Sequence, residues 1–119
     1  MDKKELLNRT KQFAIRVFKL VEKLPKTEAA KVITYQLLKS SSSVAANYRA
    51  VNRAKSKIDF ANKIKIVLEE SDESNFWLTF IIDVDLLKSN DEINALIKES
   101  DEFIAIFTSS LKTLAKSKS

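Results

Sequence analysis

Apolar residues recur every three or four positions along four separate stretches of the chain, which is the period of an amphipathic α-helix. The first stretch predicts a helix at about residues 2–24, with Asp2 and Glu5 placed as an N-terminal capping pair. Pro25 follows, and we expect it to end this helix and to occupy the first turn of the next, where its missing N–H costs nothing. The stripe of the first helix consists of Leu6, Thr10, Phe13, Val17, Val21 and Leu24.

The second stretch contains four consecutive serines, within the sequence KSSSSVAANYRA at residues 39–50. A flexible linker or a phosphate-binding loop normally contains glycine, and this chain has none. Apolar residues such as Leu37 and Val44 keep the helical period instead, so we predict a packed helix at about residues 27–54. Its small side chains would let another helix approach closely. A polar line along it consists of Gln36, Ser40, Ser43 and Asn47.

A third helix is predicted at about residues 57–88, with Ser56 as its N-cap. Beside its apolar stripe lies a second polar line, which we expect to meet the line of the second helix and form a structural polar seam. If the chain turns near Lys55, Glu70 lies opposite Ser40. The seam residues of the third helix are Lys63, Glu70, Glu73 and Trp77.

The fourth stretch begins with SNDE at residues 89–92, the pattern of a capping box, and predicts a helix at about residues 91–115. Four helices with short connections predict an all-α fold, an up-down-up-down antiparallel four-helix bundle. A length of 119 residues fits one domain, residues 1–119. The chain has one proline and no glycine, so it lacks the residues that the turns of a sheet protein need.

Positive charge is concentrated in the first half of the sequence. Residues 1–65 hold 16 Lys/Arg and 5 Asp/Glu, whereas residues 66–119 hold 5 Lys/Arg and 11 Asp/Glu. This asymmetry suggests a polyanionic partner for the basic half, or attraction between oppositely charged faces of two subunits. Alternatively, the two halves neutralise each other inside one bundle, because antiparallel helices lie side by side.

Histidine and cysteine are both absent, which removes the usual general base, the thiol nucleophile and the commonest transition-metal ligands. We therefore predict that the protein is not an enzyme and has no catalytic residues, no metal and no cofactor. A site for a hard cation built from carboxylates alone stays open, although a polar seam with basic residues explains the same group better. The densest group of carboxylates consists of Glu69, Glu70, Asp72 and Glu73.

Three segments of the sequence resemble a known family. They are LPKTE at residues 24–28, QLLKSSSSVAANYRA at residues 36–50, and RAKSKIDFANKIKIVLEESDESNFWL at residues 53–78. Together they are similar to the bacterial four-helix-bundle proteins whose founding members are encoded by intervening sequences within 23S ribosomal RNA genes. The commonest form of the second motif ends in SIPANIAEG, whereas SVAANYRA here resembles a large subgroup.

The resemblance implies a four-helix bundle that often assembles as a ring-like homopentamer. It also implies a relationship to the accessory variability proteins of diversity-generating retroelements, which bind nucleic acid and partner a reverse transcriptase. For most members of the family no biochemical function is established.

Charge and resemblance together favour a non-enzymatic oligomer that binds RNA or DNA through a basic surface. The alternative is a structural or adaptor assembly that binds another protein, for example a reverse transcriptase-type partner. Tyr48, beside two arginines, is a candidate for stacking on bases, although an exposed, solvated helix face explains it somewhat better. The candidate nucleic-acid-binding residues cluster at the connection between the second and third helices, where long side chains can reach phosphates: Arg49, Arg53, Lys55 and Lys57.

The location of the protein is predicted from the absence of long apolar runs. Neither a signal peptide nor a membrane span is expected, so we predict a cytoplasmic protein without a membrane partner.

Overall fold

Four helices make up most of the computed structural model, which describes residues 1–116. Residues 117–119 of the predicted domain lie outside the described residues. The helices are α1 (Lys3–Val21), α2 (Glu28–Val51), α3 (Lys57–Asp83) and α4 (Asp91–Lys116).

Each helix packs against the next one along the chain, and α4 returns to close the bundle against α1. The contact between α1 and α4 is the smallest of the four. The molecule is a rod of 52 × 21 × 21 Å. This confirms the predicted all-α, up-down-up-down four-helix bundle. Across residues 1–116, no helix combines the length and apolar character needed to cross a membrane.

Side-chain caps fix where the first three helices begin. The Asp2 carboxylate accepts the backbone N–H of Glu5 at 2.8 Å, and the Ser56 hydroxyl accepts that of Asp59 at 3.0 Å. Both caps were predicted, because a capping side chain acts within three residues of the backbone that it stabilises. Thr27 caps α2, so Pro25 precedes the cap and its predicted place in the first turn of α2 is wrong.

The third helix ends at Asp83, five residues before its predicted end. Asp85 adopts a left-handed conformation with φ of 59°. The backbone N–H of Leu86 then bonds to the carbonyl of Ile81, and that of Asp85 to the carbonyl of Ile82, each at 3.0 Å. This pair of bonds is a Schellman motif, which usually places glycine in the left-handed position. An aspartate occupies it here because short polar side chains tolerate this conformation best among the other residues.

The fourth helix is capped one residue later than predicted. The Asn90 side-chain oxygen accepts the backbone N–H of Ile93 at 2.9 Å. The Ser89 hydroxyl, which was predicted to be the cap, instead bonds to the side chain of Asn94. Asparagine and serine cap helices about equally well, so sequence preference alone does not choose between adjacent candidates.

Aromatic side chains from α1, α2 and α4 form the centre of the core. Phe13 and Phe103 meet edge to face with ring centroids 5.4 Å apart, and Phe107 lies 6.1 Å from Phe103. Tyr48 packs on Phe107 from the opposite side at 5.6 Å. Such pairs stabilise the core beyond the area that they bury.

Buried hydroxyl groups line the places where helices approach each other. Each of them lies within hydrogen-bonding distance of a carbonyl three or four residues earlier in its own helix, so an acceptor is available without a partner on another helix. Their small size allows close contact between helices without leaving an unsatisfied donor. They belong to Thr10, Ser40, Ser41, Ser71, Ser74 and Ser100.

Candidate nucleic-acid interface

A basic groove lies on the outer surface between α1 and α2, near the end of the bundle where α2 connects to α3. It encloses a volume of about 680 Å³. Ala14 of α1 and Ala45 and Ala46 of α2 are among the small residues that line it. The cations at this groove are Lys11, Arg49 and Arg53.

The helical period and the antiparallel pairing of α1 with α2 bring these three cations together. Arg49 and Arg53 are four residues apart, so they extend from the same side of the helix, at and just beyond its C-terminal end. Lys11 reaches the groove from α1. We call Lys11, Arg49 and Arg53 the groove cations.

The groove cations have no carboxylate partner within residues 1–116. None of the ion pairs in this part of the chain involves them. The sequence explains why, since residues 6–21 and 29–58 contain no aspartate or glutamate. Their charge is therefore available to an anionic ligand.

Asn52 also lines the groove, at the C-terminal cap of α2. Its side-chain amide donates to the carbonyl of Arg49 at 3.4 Å. Its Oδ1 atom is buried and has no hydrogen-bond partner within the described chain. A buried acceptor without a hydrogen bond raises the free energy of the folded protein, and a donor that bonded to it would remove this destabilisation.

The structure brings together two of the four predicted nucleic-acid-binding residues. Arg49 and Arg53 line the groove, whereas Lys57 lines a second, apolar groove of about 380 Å³ between the start of α3 and the end of α4. Lys55 is exposed in the connection, and its backbone N–H donates to the Asp59 carboxylate at 3.0 Å.

Sequence reasoning did not identify Lys11 as part of this group. It lies on another helix, and only the antiparallel contact between α1 and α2 places it beside Arg49 and Arg53. The helical period offered one indication. Lys11 lies seven residues before the exposed Phe18, so both residues lie on the side of α1 that faces away from the core.

Tyr48 does not lie on the surface. Only 6% of it is exposed, and burial raises the pKa of its hydroxyl. The proposed role of Tyr48 in base stacking is therefore wrong, because its ring packs against Phe107 in the core. Its helical position, four residues after Val44, places it on the buried side of α2.

The polar seam residues form most of their hydrogen bonds within their own helices. Asn47 donates to the carbonyl of Ser43 at 2.9 Å, and Lys63 donates to the Asp59 carboxylate at 2.8 Å. Trp77 donates to Glu73 at 3.4 Å. The seam residue Gln36 is half-buried on α2.

One hydrogen bond crosses directly between α2 and α3. Ser74 donates to the hydroxyl of Ser40 at 3.0 Å, and both side chains are fully buried. Ser40 thus lies opposite Ser74, and not opposite Glu70 as predicted. Ser74 follows Glu70 by four residues, which is about one helical turn. Two small hydroxyl-bearing side chains at this point permit a close approach of the helices.

Glu70 is the seam carboxylate whose ionisation the fold affects most clearly. Burial raises the pKa of its carboxyl above the ordinary value, and repulsion from Glu73 and Glu69 adds to this effect. Lys39 on α2 opposes the shift by attraction. The ionised carboxylate is thus less favourable in the folded protein than in the unfolded chain.

Replacing Glu70 with glutamine is expected to raise the free energy of unfolding at neutral pH and to change it less near about pH 4. A raised folded-state pKa destabilises the protein most when the group is fully ionised, and this effect disappears as pH falls through that pKa. Urea unfolding followed by circular dichroism at both pH values measures the difference. Asp72→Asn, which removes the same charge from an exposed site on α3, controls for net charge. An equal gain at both pH values would contradict the prediction.

Ion pairs between the basic and acidic halves join α1 to α4. Arg9 bonds to both carboxylate oxygens of Glu99 and, at 3.0 Å, to Glu102, and Lys23 bonds to Glu92 at 3.0 Å. The hydrogen bond from Arg9 to Glu99 is the main cause of the raised pKa of the Arg9 guanidinium. Within residues 1–116 these are the ion pairs that link the basic half of the sequence to the acidic half. The acidic half therefore neutralises other cations and leaves the groove cations unpaired.

The carboxylates of α3 do not assemble a metal centre in the described part of the chain. No group of three or more side chains of the metal-binding types converges there. The group at Glu69, Glu70, Asp72 and Glu73 is divided between the seam and the exposed side of α3.

Comparisons with known proteins agree with the bundle architecture. The chain is similar to a protein of unknown function from the S23 ribosomal protein family of Bacteroides thetaiotaomicron, known from its crystal structure. The two are 28% identical and superpose with a TM-score of 0.81, over 90% of this chain and 98% of that one. A comparison with curated proteins finds no match. The family model for the 23S rRNA-intervening sequence protein matches residues 2–109, so this chain belongs to the 23S rRNA-intervening sequence protein family.

Proposed function

We propose that this protein is a non-enzymatic, oligomeric four-helix bundle that binds nucleic acid through the basic groove between α1 and α2. The observation that carries the proposal is the convergence of Lys11, Arg49 and Arg53 on one groove without a carboxylate partner in residues 1–116. Arginine is well suited to phosphate because its planar guanidinium donates two parallel hydrogen bonds.

The chemistry of the groove favours contacts with the nucleic-acid backbone rather than with base edges. Phosphate contacts give affinity and orientation but no sequence information. Ala45 and Ala46, which line the groove, offer no donor or acceptor to a base edge, and Ser42 and Asn52 are its uncharged polar residues. We therefore propose binding with little sequence specificity and strong dependence on salt.

Binding is tested by fluorescence anisotropy with labelled single- and double-stranded RNA and DNA, each at low and physiological salt. The expected result is binding at low salt that weakens steeply as salt rises, because neutralised phosphates release their counterions. A scrambled sequence of equal length should bind about equally well. If all four ligands fail to bind at low salt, the proposed function is wrong.

An exposed aromatic cluster on α3 supports the oligomeric part of the proposal. Phe76 is 52% exposed, and its ring lies 4.8 Å from that of Trp77 and 5.6 Å from that of Phe80. An exposed aromatic group of this kind usually marks a contact with another protein.

Native mass spectrometry at micromolar concentration is expected to show an oligomer, with a pentamer as the state that the family resemblance implies. Trp77 is the single tryptophan of the chain, so its emission should shift to longer wavelength as dilution dissociates the oligomer. Phe76→Ser should weaken the subunit contact and so lower the mass of the assembly. Lys112→Ser, which changes an exposed residue on α4, is the control. A wild-type protein that is monomeric at every concentration would refute oligomerisation.

The same aromatic cluster favours a second candidate function, an adaptor assembly whose partner is a different protein. In that case the exposed ring of Phe76 stays uncovered in the purified protein, beside the partly buried Trp77 and Phe80, and becomes covered only when the partner is present. A purified protein that neither oligomerises nor binds nucleic acid would favour the adaptor function.

A further inference from the structure

Two exposed aromatic side chains lie on the outer surface of α1 and α2, away from the core. Phe18 is 59% exposed and Tyr35 is 62% exposed. Neither takes part in an aromatic pair within the described chain. Burial in the bundle therefore does not account for their presence.

Helical spacing places both aromatic residues in line with the groove. Phe18 follows Ala14 by four residues and Lys11 by seven, so these three residues share one side of α1. On α2 and just beyond its end, residues spaced by four and three positions form one line of exposed residues: Tyr35, Lys39, Ser42, Ala46, Arg49 and Arg53.

This surface is long enough for several nucleotides. Tyr35 and Arg53 are 18 positions apart, which corresponds to about 27 Å at roughly 1.5 Å per residue. The cations Arg49 and Arg53 lie at one end and Tyr35 at the other, and residues 29–58 contain no acidic residue. We call the surface formed by Phe18, Tyr35 and the groove cations the aromatic–basic track.

An aromatic ring beside unpaired cations distinguishes single strands from duplexes. Aromatic side chains stack on the flat faces of bases, and a single strand leaves those faces free. In a duplex, neighbouring base pairs already cover the same faces, so exposed rings add nothing to backbone contacts. Cations alone attract either form, because both carry phosphates.

We propose that the aromatic–basic track binds single-stranded nucleic acid in preference to duplex, with bases stacked on Phe18 and Tyr35 and phosphates held by the groove cations. The proposal rests on the proposed function and adds to it the class of ligand. The charge of the track argues for this occupant over a second copy of the chain, because a subunit contact would bury cations that have no partner.

The test compares the wild type with the Phe18→Leu/Tyr35→Leu variant, using fluorescence anisotropy with a labelled single strand and a hairpin duplex of the same length. Leucine keeps much of the apolar area and removes the aromatic face. The variant is expected to bind the single strand at least about 10-fold more weakly, because stacking contributes substantially at each base. Its affinity for the duplex should stay within about twofold of wild type.

A second variant reports stacking directly. Phe18→Trp in a Trp77→Phe background places the single tryptophan of the chain on the track. Its fluorescence is expected to be quenched when the single strand binds and to change little with the duplex. A control, Ile66→Leu, changes an exposed apolar residue on α3 and should leave both affinities unchanged.

The outcomes separate this inference from the proposed function. If the wild type binds none of the ligands, both fail. If it binds single strand and duplex equally and the leucine variant behaves like the wild type, the inference is overturned and the function stands. If the variant loses both affinities together with its oligomer mass, the track is a subunit contact and the inference is overturned.

Discussion

Replacing Arg49 and Arg53 together with alanine is expected to weaken nucleic-acid binding at low salt by about 100-fold. A hydrogen bond to a charged group contributes about 1.5 kcal/mol or more, and about 1.4 kcal/mol corresponds to a tenfold change in affinity. The two arginines share one groove without carboxylate partners, so their loss removes phosphate contacts and leaves no buried charge behind. The slope of log affinity against log salt should fall by about two, one for each contact.

The matched control removes the same amount of charge from another helix. Lys98 and Lys112 are exposed on α4, and the Lys98→Ala/Lys112→Ala variant has the same net charge as the arginine variant. At about 0.1 M salt we expect it to bind within about threefold of wild type, because the contribution of distant charges is screened over about 10 Å under that condition. Equal losses in the two variants would show that only net charge attracts the nucleic acid and that the groove is not the site.

Replacing Phe103 with alanine is expected to lower the free energy of unfolding by about 3–5 kcal/mol, the range for a phenylalanine removed from a packed core. Its ring is fully buried, meets Phe13 edge to face at 5.4 Å and lies 5.5 Å from the guanidinium carbon of Arg9. These contacts join α1 to α4, the smallest helix interface of the bundle. Urea unfolding followed by circular dichroism measures the change.

Phe18→Ala provides the control for this measurement. It makes the same substitution on α1, at a side chain that is 59% exposed, so the change in unfolding free energy should stay within about 0.5 kcal/mol. This small effect is also what allows Phe18 variants to test nucleic-acid binding in a folded protein. Similar losses for Phe18→Ala and Phe103→Ala would contradict the assignment of Phe103 to the core and of Phe18 to the surface.

The two basic surfaces near the connection between α2 and α3 differ in what they offer a ligand. The groove of Lys11, Arg49 and Arg53 combines unpaired cations with small side chains, whereas Lys57 borders an apolar groove with Ile58 on the other side of the bundle. Arg49, Arg53 and Lys57 are close in the sequence but lie in two different grooves. The rotation of α3 relative to α2 separates them.

The helices, two of their caps and the bundle class can be predicted from the amino-acid sequence. These features depend on interactions within about one helical turn: the 3.6-residue period of apolar side chains, and a capping oxygen that reaches the backbone three residues away. Asp2 and Ser56 could be identified as caps for that reason. The absence of glycine and the short connections then left few alternatives to four antiparallel helices.

The side chains that meet between helices are known only from the packed bundle. The pairing of Ser40 with Ser74, the burial of Tyr48 and the place of Lys11 beside Arg49 depend on the register and rotation of each helix against its neighbours. Packing throughout the core sets these two quantities, so no local pattern reveals them. The left-handed Asp85 that ends α3 is a similar case, since a chain without glycine gives no local mark of this turn. The helices follow from short-range rules, whereas the candidate site exists because two distant segments are packed side by side.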